Sequence, residues 1–232
     1  MITFDNVSVQ LGGNDVLKNV SFNIRQNELA VLTGNSGSGK TTILRLVAGT
    51  LQPGSGTVRI NGERTGFIFQ DHRLLPWKTA LDNIVLVLRA QGLTSVQARQ
   101  KAGEWLDLVG LEQFAAYYPA QLSGGMVQRV SIARAFAIEP DIILMDEPFS
   151  SLDADLTDSL LQTTRNVLAE HRATVIYVTH DIIEALRMAD RLFHLGDDGF
   201  TETAITDRQA MYRDYYESRL DSMRPSDRLP HS

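Results

Sequence analysis

The fold is decided by nine residues near the start of the chain, Gly34-Asn35-Ser36-Gly37-Ser38-Gly39-Lys40-Thr41-Thr42. They fit the phosphate-loop pattern of a glycine, four further residues and then Gly-Lys-Thr. Residues 28–33 form the apolar run of a buried strand, and residues 43–47 place apolar side chains at helical spacing. The loop is therefore predicted to join a strand to a helix.

This position gives the loop a chemical role. Glycines let the backbone curl so that several N–H groups and a helix N-terminus point at one phosphate cluster. In such a loop Lys40 reaches the β- and γ-phosphates and the Thr41 hydroxyl binds Mg²⁺. The alternative is a glycine-rich turn that binds nothing. The glycines run G-x-x-G-x-G, which is not the order of a dinucleotide-binding loop.

Composition narrows the class of protein. The chain has 232 residues, of which 43% are hydrophobic, enough for one domain with a real core. A net charge of −6 argues against a broad nucleic-acid-binding surface. No apolar run approaches a membrane span, the first residues do not resemble a signal peptide, and there are no cysteines. We therefore expect a soluble protein without disulfides that stays in the compartment where it is made.

The hydrophobic pattern predicts a mixed α/β architecture. Residues 7–11 and 20–24 alternate in polarity around a turn at 12–15, which indicates two antiparallel strands. From about residue 79 to 138 the spacing becomes helical, as in a lobe inserted into a strand-rich core. Further strands are predicted at 57–60, 66–69, 141–145, 173–178, 192–195 and 200–205, and further helices at about 155–170 and 208–219. Alternating strands and helices imply a mainly parallel sheet with sites at the carboxyl ends of its strands.

Two acidic residues follow one of the apolar strands. At such a position Asp146 is suited to holding Mg²⁺, while Glu147 is suited to orienting or deprotonating an attacking water. Alone, two acids after a strand are more often a helix cap or a solvated turn. A phosphate loop in the same chain makes the catalytic interpretation the stronger one.

A second glycine turn carries a family resemblance. Leu122-Ser123-Gly124-Gly125 precedes a helix, so its N–H groups and the Ser123 hydroxyl are suited to binding phosphate. An ordinary helix cap by Ser123 is the alternative. With the phosphate loop, Gln70 after a strand, Asp146-Glu147, Ser151-Leu152-Asp153 and His180 in the same order, residues 1–205 resemble the ATP-binding cassette (ABC) ATPases.

The resemblance implies a fold and a domain plan. It implies a P-loop NTPase (RecA-like) α/β core with a mainly parallel sheet, an N-terminal antiparallel β subdomain and an inserted α-helical subdomain at about 79–138. The ABC ATPase domain is expected to cover residues 1–220, with a disordered tail at 221–232.

The resemblance also implies a pair of cassettes packed head to tail, with ATP and Mg²⁺ between them. Glu147 and His180 would be catalytic, and the metal would be held by Thr41, Gln70 and Asp146. The Ser123–Gly125 turn would contact the nucleotide bound on the opposite chain. The nucleotide-binding residues expected from the resemblance are Gly34, Asn35, Ser36, Gly37, Ser38, Gly39, Lys40, Thr41, Thr42, Gln70, Ser123, Gly124, Gly125 and Asp153.

Some positions depart from the family pattern. Leu11 aligns with an aromatic residue that commonly stacks on adenine, so weak base selectivity is expected. Asn35, Val127 and Ser151 replace commoner residues and are expected to be tolerated. Among the remaining histidines, His194 is expected to be buried structure, whereas His171 and His231 are expected to be solvated.

The segment 70–79 gives the biological role. Its Leu74-Leu75-Pro76-Trp77 run resembles the importers of nitrate, alkanesulfonates, taurine and thiamine-precursor pyrimidines. The resemblance implies permease subunits docking near 70–79, a second ATPase subunit, an extracytoplasmic solute-binding protein acting indirectly, and a place on the cytoplasmic face of the cell membrane. Alternatively, these apolar side chains fill the lobe's core. A soluble ABC ATPase acting on another macromolecule and a non-hydrolysing nucleotide-binding module are the other functions considered.

Overall fold

The computed structural model describes residues 1–150, 152–196, 199–205, 207–208 and 210–212. Within them the chain forms two sheets, six α-helices and two short 3₁₀ helices, Glu112–Phe114 and Pro119–Gln121. Among these described residues, no helix has both the length and the apolar character needed to cross a membrane.

The N-terminal sheet is antiparallel, as predicted. Its strands are β1 (Ile2–Leu11), β2 (Asn14–Ile24) and β4 (Ser55–Ile60), in the order β2-β1-β4. The turn between β1 and β2 is only Gly12 and Gly13, both at positive φ. Phe4, Val7 and Val9 of β1 are buried, with an irregularity in the pairing between Phe4 and Val7, so one face of this sheet packs on the core.

The second sheet is mainly parallel, which confirms the predicted α/β core. Its strands are β3 (Leu29–Thr33), β5 (Thr65–Ile68), β6 (Ile142–Asp146), β7 (Thr174–Val178), β8 (Arg191–Gly196) and β9 (Gly199–Thr203). The order is β5-β6-β7-β3-β8-β9, and only β9 runs antiparallel to its neighbour. All residues of β3 and β7 are buried, which explains their continuous apolar sequence.

Five of the six α-helices lie in segments that were predicted to be helical, and α6 was not predicted. They are α1 (Lys40–Val47), α2 (Ala80–Ala90), α3 (Ser95–Leu108), α4 (Gly124–Ala137), α5 (Ala154–Glu170) and α6 (Ile182–Met188). Helices α2, α3 and α4 lie between β5 and β6 in the chain and pack on one another. Polar side chains fix several of their starts: Thr79 caps α2, Thr94 and Gln97 form a capping box on α3, and Asp181 caps α6.

The parallel sheet separates two apolar layers. Val31, Val175 and Tyr177 face the layer formed with the helices α2 to α6. Leu32 and Ile176 face the opposite layer, formed with α1 and the antiparallel sheet. Because successive side chains of a strand alternate between its faces, a sheet buried on both sides holds the ends of its strands rigidly.

Two expectations about histidines are wrong. His194 is exposed, because the core does not cover its face of β8 at this point, whereas Phe193 and Leu195 on the other face are buried. His171 is half-buried, because its ring packs against Trp105 with the ring centroids 4.6 Å apart. His231, Ser151 and the predicted tail lie outside the described residues. Of the predicted helix at 208–219, Arg208 and residues 210–212 are described and are helical.

Candidate functional site

The phosphate loop connects β3 to α1 at the carboxyl edge of the parallel sheet. Gly34, Gly37 and Gly39 all have positive φ, which favours glycine. A Cβ on Gly34 would lie 2.2 Å from the carbonyl oxygen of Leu195 on β8. The loop can therefore turn into the helix only because its first residue has no side chain.

Lys40 closes the loop on itself. Its side chain is 5% exposed, and Nζ donates hydrogen bonds of 2.7 Å to the carbonyl oxygens of Gly34 and Asn35. Burial lowers the pKa of Lys40, while the nearby charges of Glu147 and Asp146 act in the opposite direction. The ammonium group thus lies across the loop, where an anionic ligand would meet it.

The two acids at the end of β6 have different surroundings. Asp146 accepts a hydrogen bond of 3.2 Å from the Thr41 hydroxyl, and burial raises its pKa. Glu147 has a φ of 45°, an unfavourable value for a residue with a side chain. Its N–H donates to the carbonyl oxygen of Val178 at 2.9 Å, and Oε2 lies 3.1 Å from Nδ1 of His180. The structure therefore brings the two predicted catalytic residues, Glu147 and His180, into contact.

Gln70 lies beside this pair. Its Nε2 donates to Oγ of Ser150 at 3.2 Å, and the Ser150 hydroxyl donates to the Glu147 carbonyl oxygen at 3.1 Å. The residues after Gln70 are held by Arg134 of α4, whose guanidinium donates to the carbonyl oxygens of His72 and Arg73 at 2.8 and 2.7 Å. Sequence reasoning missed Arg134, because nothing in the neighbouring sequence indicates that a lone arginine on a helix will hydrogen-bond to backbone far away in the chain.

The second glycine turn lies on the lobe. Ser123 accepts a hydrogen bond from the N–H of Met126 at 3.3 Å and so caps α4, as the alternative interpretation proposed. Ser123 and Gly124 are nevertheless not enclosed by the core, whereas Gly125 is buried, and a Cβ there would lie 2.5 Å from Leu156. Asp153 caps the neighbouring α5. Within the described part of this chain, no hydrogen bond joins the turn to the phosphate loop.

Two cavities flank the phosphate loop. One of about 520 Å³ is lined by Leu11, Val16, Gly37 and Phe200 among others, beside the end of the loop remote from the acids. The other, of about 620 Å³, is lined by Glu147, His180 and His194 among others. One cavity therefore lies beside the phosphate loop at Gly37, and the other lies at Glu147 and His180.

His194 is a polar residue of the second cavity that sequence reasoning missed. The Thr33 hydroxyl donates to the Phe193 carbonyl oxygen at 3.1 Å and lies 3.2 Å from Nδ1 of His194, so it connects the ring to β3.

A third cavity, of about 480 Å³, lies between β5 and the lobe. Its walls include Phe67, Phe69, Leu86 and Val87. Arg73 lies over the Phe69 ring, 3.9 Å from its centroid. Nearby in sequence, Trp77 is 69% exposed, so the alternative that it fills the core is wrong, whereas Leu74 does pack on the core. We call this cavity the lobe groove; Leu75 is among its lining residues, and Trp77 follows Leu75 by two positions.

Comparison with known proteins agrees with this geometry. The profile of the ABC transporter family matches residues 17–150. The chain is 40% identical to the aliphatic sulfonates import ATP-binding protein SsuB of Bacillus cereus over 192 residues, which is 80% of this chain and 75% of that protein. It is 44% identical over 200 residues to the taurine import ATP-binding protein TauB of Chromobacterium violaceum, covering 82% and 77% of the two.

A solved structure shares the fold. The dimeric ATP-binding cassette MJ0796, in a post-hydrolysis state bound to ADP and Pi, superimposes with a TM-score of 0.75 at 34% sequence identity. The match covers 87% of this chain and 98% of that one. The fold of this chain is therefore similar to one already seen with ADP and Pi bound.

Proposed function

This chain belongs to the ABC transporter family, and on that premise we propose that it is the ATP-hydrolysing subunit of an importer for a small solute of the nitrate, sulfonate, taurine or pyrimidine-precursor type. The observation that carries the importer role is the apolar surface of the lobe, formed by the lobe groove and by the exposed Trp77, two residues after Leu75 of its lining. An ATPase without a partner has no need of such a surface.

The hydrolysis site is assigned from the contacts between its residues. The phosphate loop and the N-terminus of α1 bind the phosphates, with Lys40 turning from its carbonyl partners to the anion. Glu147 orients and deprotonates the attacking water, and His180, in contact with Glu147, faces the terminal phosphate.

Mg²⁺ fits the donor set at this site. The hydroxyl oxygen of Thr41 and a carboxylate oxygen of Asp146 lie 3.2 Å apart, and hard oxygen ligands of this kind are those that Mg²⁺ prefers. Gln70 would complete the set. When bound, the ion neutralises charge that develops on the phosphates. Ionised Asp146 is disfavoured by burial, and a divalent cation would relieve that cost.

Two copies of the chain would complete the site. Ser123 and Gly124 lie at the surface of the lobe and make no hydrogen bond to their own chain's phosphate loop, so their polar groups suit the nucleotide of a second subunit. Asp153 begins the helix that packs on this turn and would lie at the same interface. The dimeric state of the similar MJ0796 cassette supports this arrangement.

The groove would hold a short apolar segment of a permease. Arg134 links the groove to the backbone that follows Gln70, so occupation of the groove would be felt at the nucleotide. Docking would place the chain on the cytoplasmic face of the membrane, with an extracytoplasmic solute-binding protein acting through the permease. The similarity to sulfonate and taurine import proteins favours a small sulfonate among the candidate solutes.

The test is recovery of the membrane partner. The tagged chain is purified from gently solubilised native membranes beside two variants, Trp77→Ala in the proposed docking segment 70–79 and Val96→Ala as the control. Val96 is also a large exposed apolar residue, at 78%, but lies on α3 away from the groove. A multi-span permease recovered with the parent and with Val96→Ala, and lost with Trp77→Ala, supports the proposal. Recovery of only soluble proteins or ribosomes would replace the importer role by that of a soluble ABC ATPase.

A further inference from the structure

A buried acid lies behind the catalytic pair. Glu184, in the first turn of α6, is 7% exposed. Its Oε2 accepts hydrogen bonds from the Tyr177 phenol and, at 2.8 Å, from the Thr179 hydroxyl. Burial raises the pKa of this carboxyl. A buried carboxylate whose partners are two hydroxyl groups is costly to maintain, so its position calls for a function.

The hydrogen bond from Thr179 to Glu184 fixes the residues on both sides of His180. Thr179 precedes His180, and its hydroxyl donates to Glu184 while accepting from the N–H of Asp181 at 3.0 Å. The N–H of Thr179 donates to Leu32 of β3 at 3.2 Å. His180 itself is 60% exposed on its side chain. Its direction therefore depends on neighbours that Glu184 holds.

The hydrogen bond from Tyr177 to Glu184 connects Glu184 with the segment that carries Glu147. The buried Tyr177 ring meets the Phe149 ring edge to face, with centroids 6.2 Å apart. Phe149 follows Glu147 by two residues and is 1% exposed. Because Glu147 is held at an unfavourable φ, its conformation needs support from the surrounding structure.

We propose that Glu184 is a positioning residue for ATP hydrolysis, whose two hydrogen bonds hold His180 in contact with Glu147. The inference rests on the role proposed above for His180. Glu184 touches neither the phosphate loop nor its lysine, so it acts on turnover and leaves nucleotide affinity unchanged.

The hydrogen-bond chemistry distinguishes two substitutions. In Glu184→Ala the hydroxyls of Tyr177 and Thr179 lose their buried acceptor, and the residues beside His180 are released. In Glu184→Gln the amide oxygen still accepts both bonds, because a carbonyl oxygen has two lone pairs. We therefore expect a turnover about tenfold or more lower for alanine, within the coupling range of one hydrogen-bond network, and near-parent turnover for glutamine.

The experiment measures kcat and the Kd for ATP of the full chain, with Thr164→Ala as a control. Thr164 is also fully buried and hydrogen-bonded, but within α5 and far along the chain from His180. The proposal is supported if Glu184→Ala has a lower kcat with an unchanged Kd, while Glu184→Gln and Thr164→Ala keep a kcat near that of the parent. An unchanged kcat in a folded Glu184→Ala, or equal losses in the alanine and glutamine variants, overturns it.

A double-mutant cycle separates this inference from the proposed role of His180. His180→Ala alone must lower single-turnover hydrolysis; if it does not, the role of His180 is wrong. If it does, adding Glu184→Ala should have little further effect, and an equal effect on both backgrounds overturns the positioning role alone. Should Glu184→Ala fail to fold, Thr179→Val removes the contact nearest to His180 and takes its place in the cycle.

Discussion

Replacement of Gly34 by alanine tests whether the phosphate loop is shaped by its close approach to β8. Gly34 has a φ of 145°, and a Cβ there would lie 2.2 Å from the carbonyl oxygen of Leu195 and 3.0 Å from Oγ of Ser38. The first contact involves backbone of a paired strand, which cannot rotate away. We therefore expect β3 and β8 to separate locally, with loss of the loop's shape.

Gly92, in the turn after α2, provides the matched control. It also has a positive φ, of 92°, but a Cβ there would meet nothing within 4 Å. Alanine at either position takes on a backbone conformation that costs about 1–3 kcal/mol. Only at Gly34 does overpacking add about 1–3 kcal/mol more. For a chain of this size that excess is about 2–12 °C in melting temperature.

The assay compares urea unfolding, melting temperature and ATP affinity of Gly34→Ala and Gly92→Ala with the parent. Gly34→Ala should be the less stable variant and should lose ATP binding, whereas Gly92→Ala should bind ATP normally. Equal destabilisation by the two substitutions would show that the backbone conformation alone matters and that the close approach of β8 does not.

Three further predictions concern the nucleotide site. Glu147→Gln should bind ATP, hydrolyse it very slowly and form a dimer visible by light scattering; a variant that stays monomeric at high ATP contradicts the two-subunit site. Asp146→Asn should melt no lower than the parent at neutral pH without Mg²⁺, because burial raises the pKa of Asp146 and its ionised form costs folding energy. The difference in melting temperature between Asp146→Asn and the parent should shrink as the pH falls towards about 4, because the Asp146 carboxyl then becomes protonated in the folded and the unfolded chain alike. Mg²⁺-dependent hydrolysis should be lost in this variant at every pH. Leu11→Tyr should tighten ATP binding about fivefold to hundredfold if the cavity at Leu11 takes the base, since stacking adds about 1–3 kcal/mol; an unchanged Kd places the base elsewhere.

The parts of the fold that were predictable are those governed by local periodicity. The run at 29–32 is buried on both faces of the parallel sheet, and Ile84 and Leu88 face the core at helical spacing, as their patterns indicate. The hairpin at residues 12–13 follows from two adjacent glycines between alternating strands. Each of these features depends on residues near one another in sequence.

The misjudged side chains depend on neighbours distant in sequence. His194 lies within an apolar strand, but one face of β8 is uncovered at that position while Leu195 on the other face is buried, so only the packing around the strand reveals the exposure. Trp77 is a large apolar residue of the kind that usually fills a core, and yet it lies exposed outside the core. Arg134 holds backbone about 60 residues earlier in the chain, at the positions of His72 and Arg73. Local propensity carries no information about such partners.

The backbone conformations that local rules disfavour identify the segments suited to moving. Apart from asparagines, which tolerate positive φ, the described non-glycine residues with that conformation are Arg73, Glu139 and Glu147. Glu139 closes the end of α4, whereas Arg73 and Glu147 lie in the segments that carry the groove and the hydrolysis site. Both are held by distant hydrogen bonds, Arg73 by Arg134 and Glu147 by the carbonyl oxygen of Val178. The strained backbone at Arg73 and Glu147 favours a change to a relaxed conformation. A nucleotide or a docked partner therefore needs only a small difference in affinity between the two conformations to shift either segment.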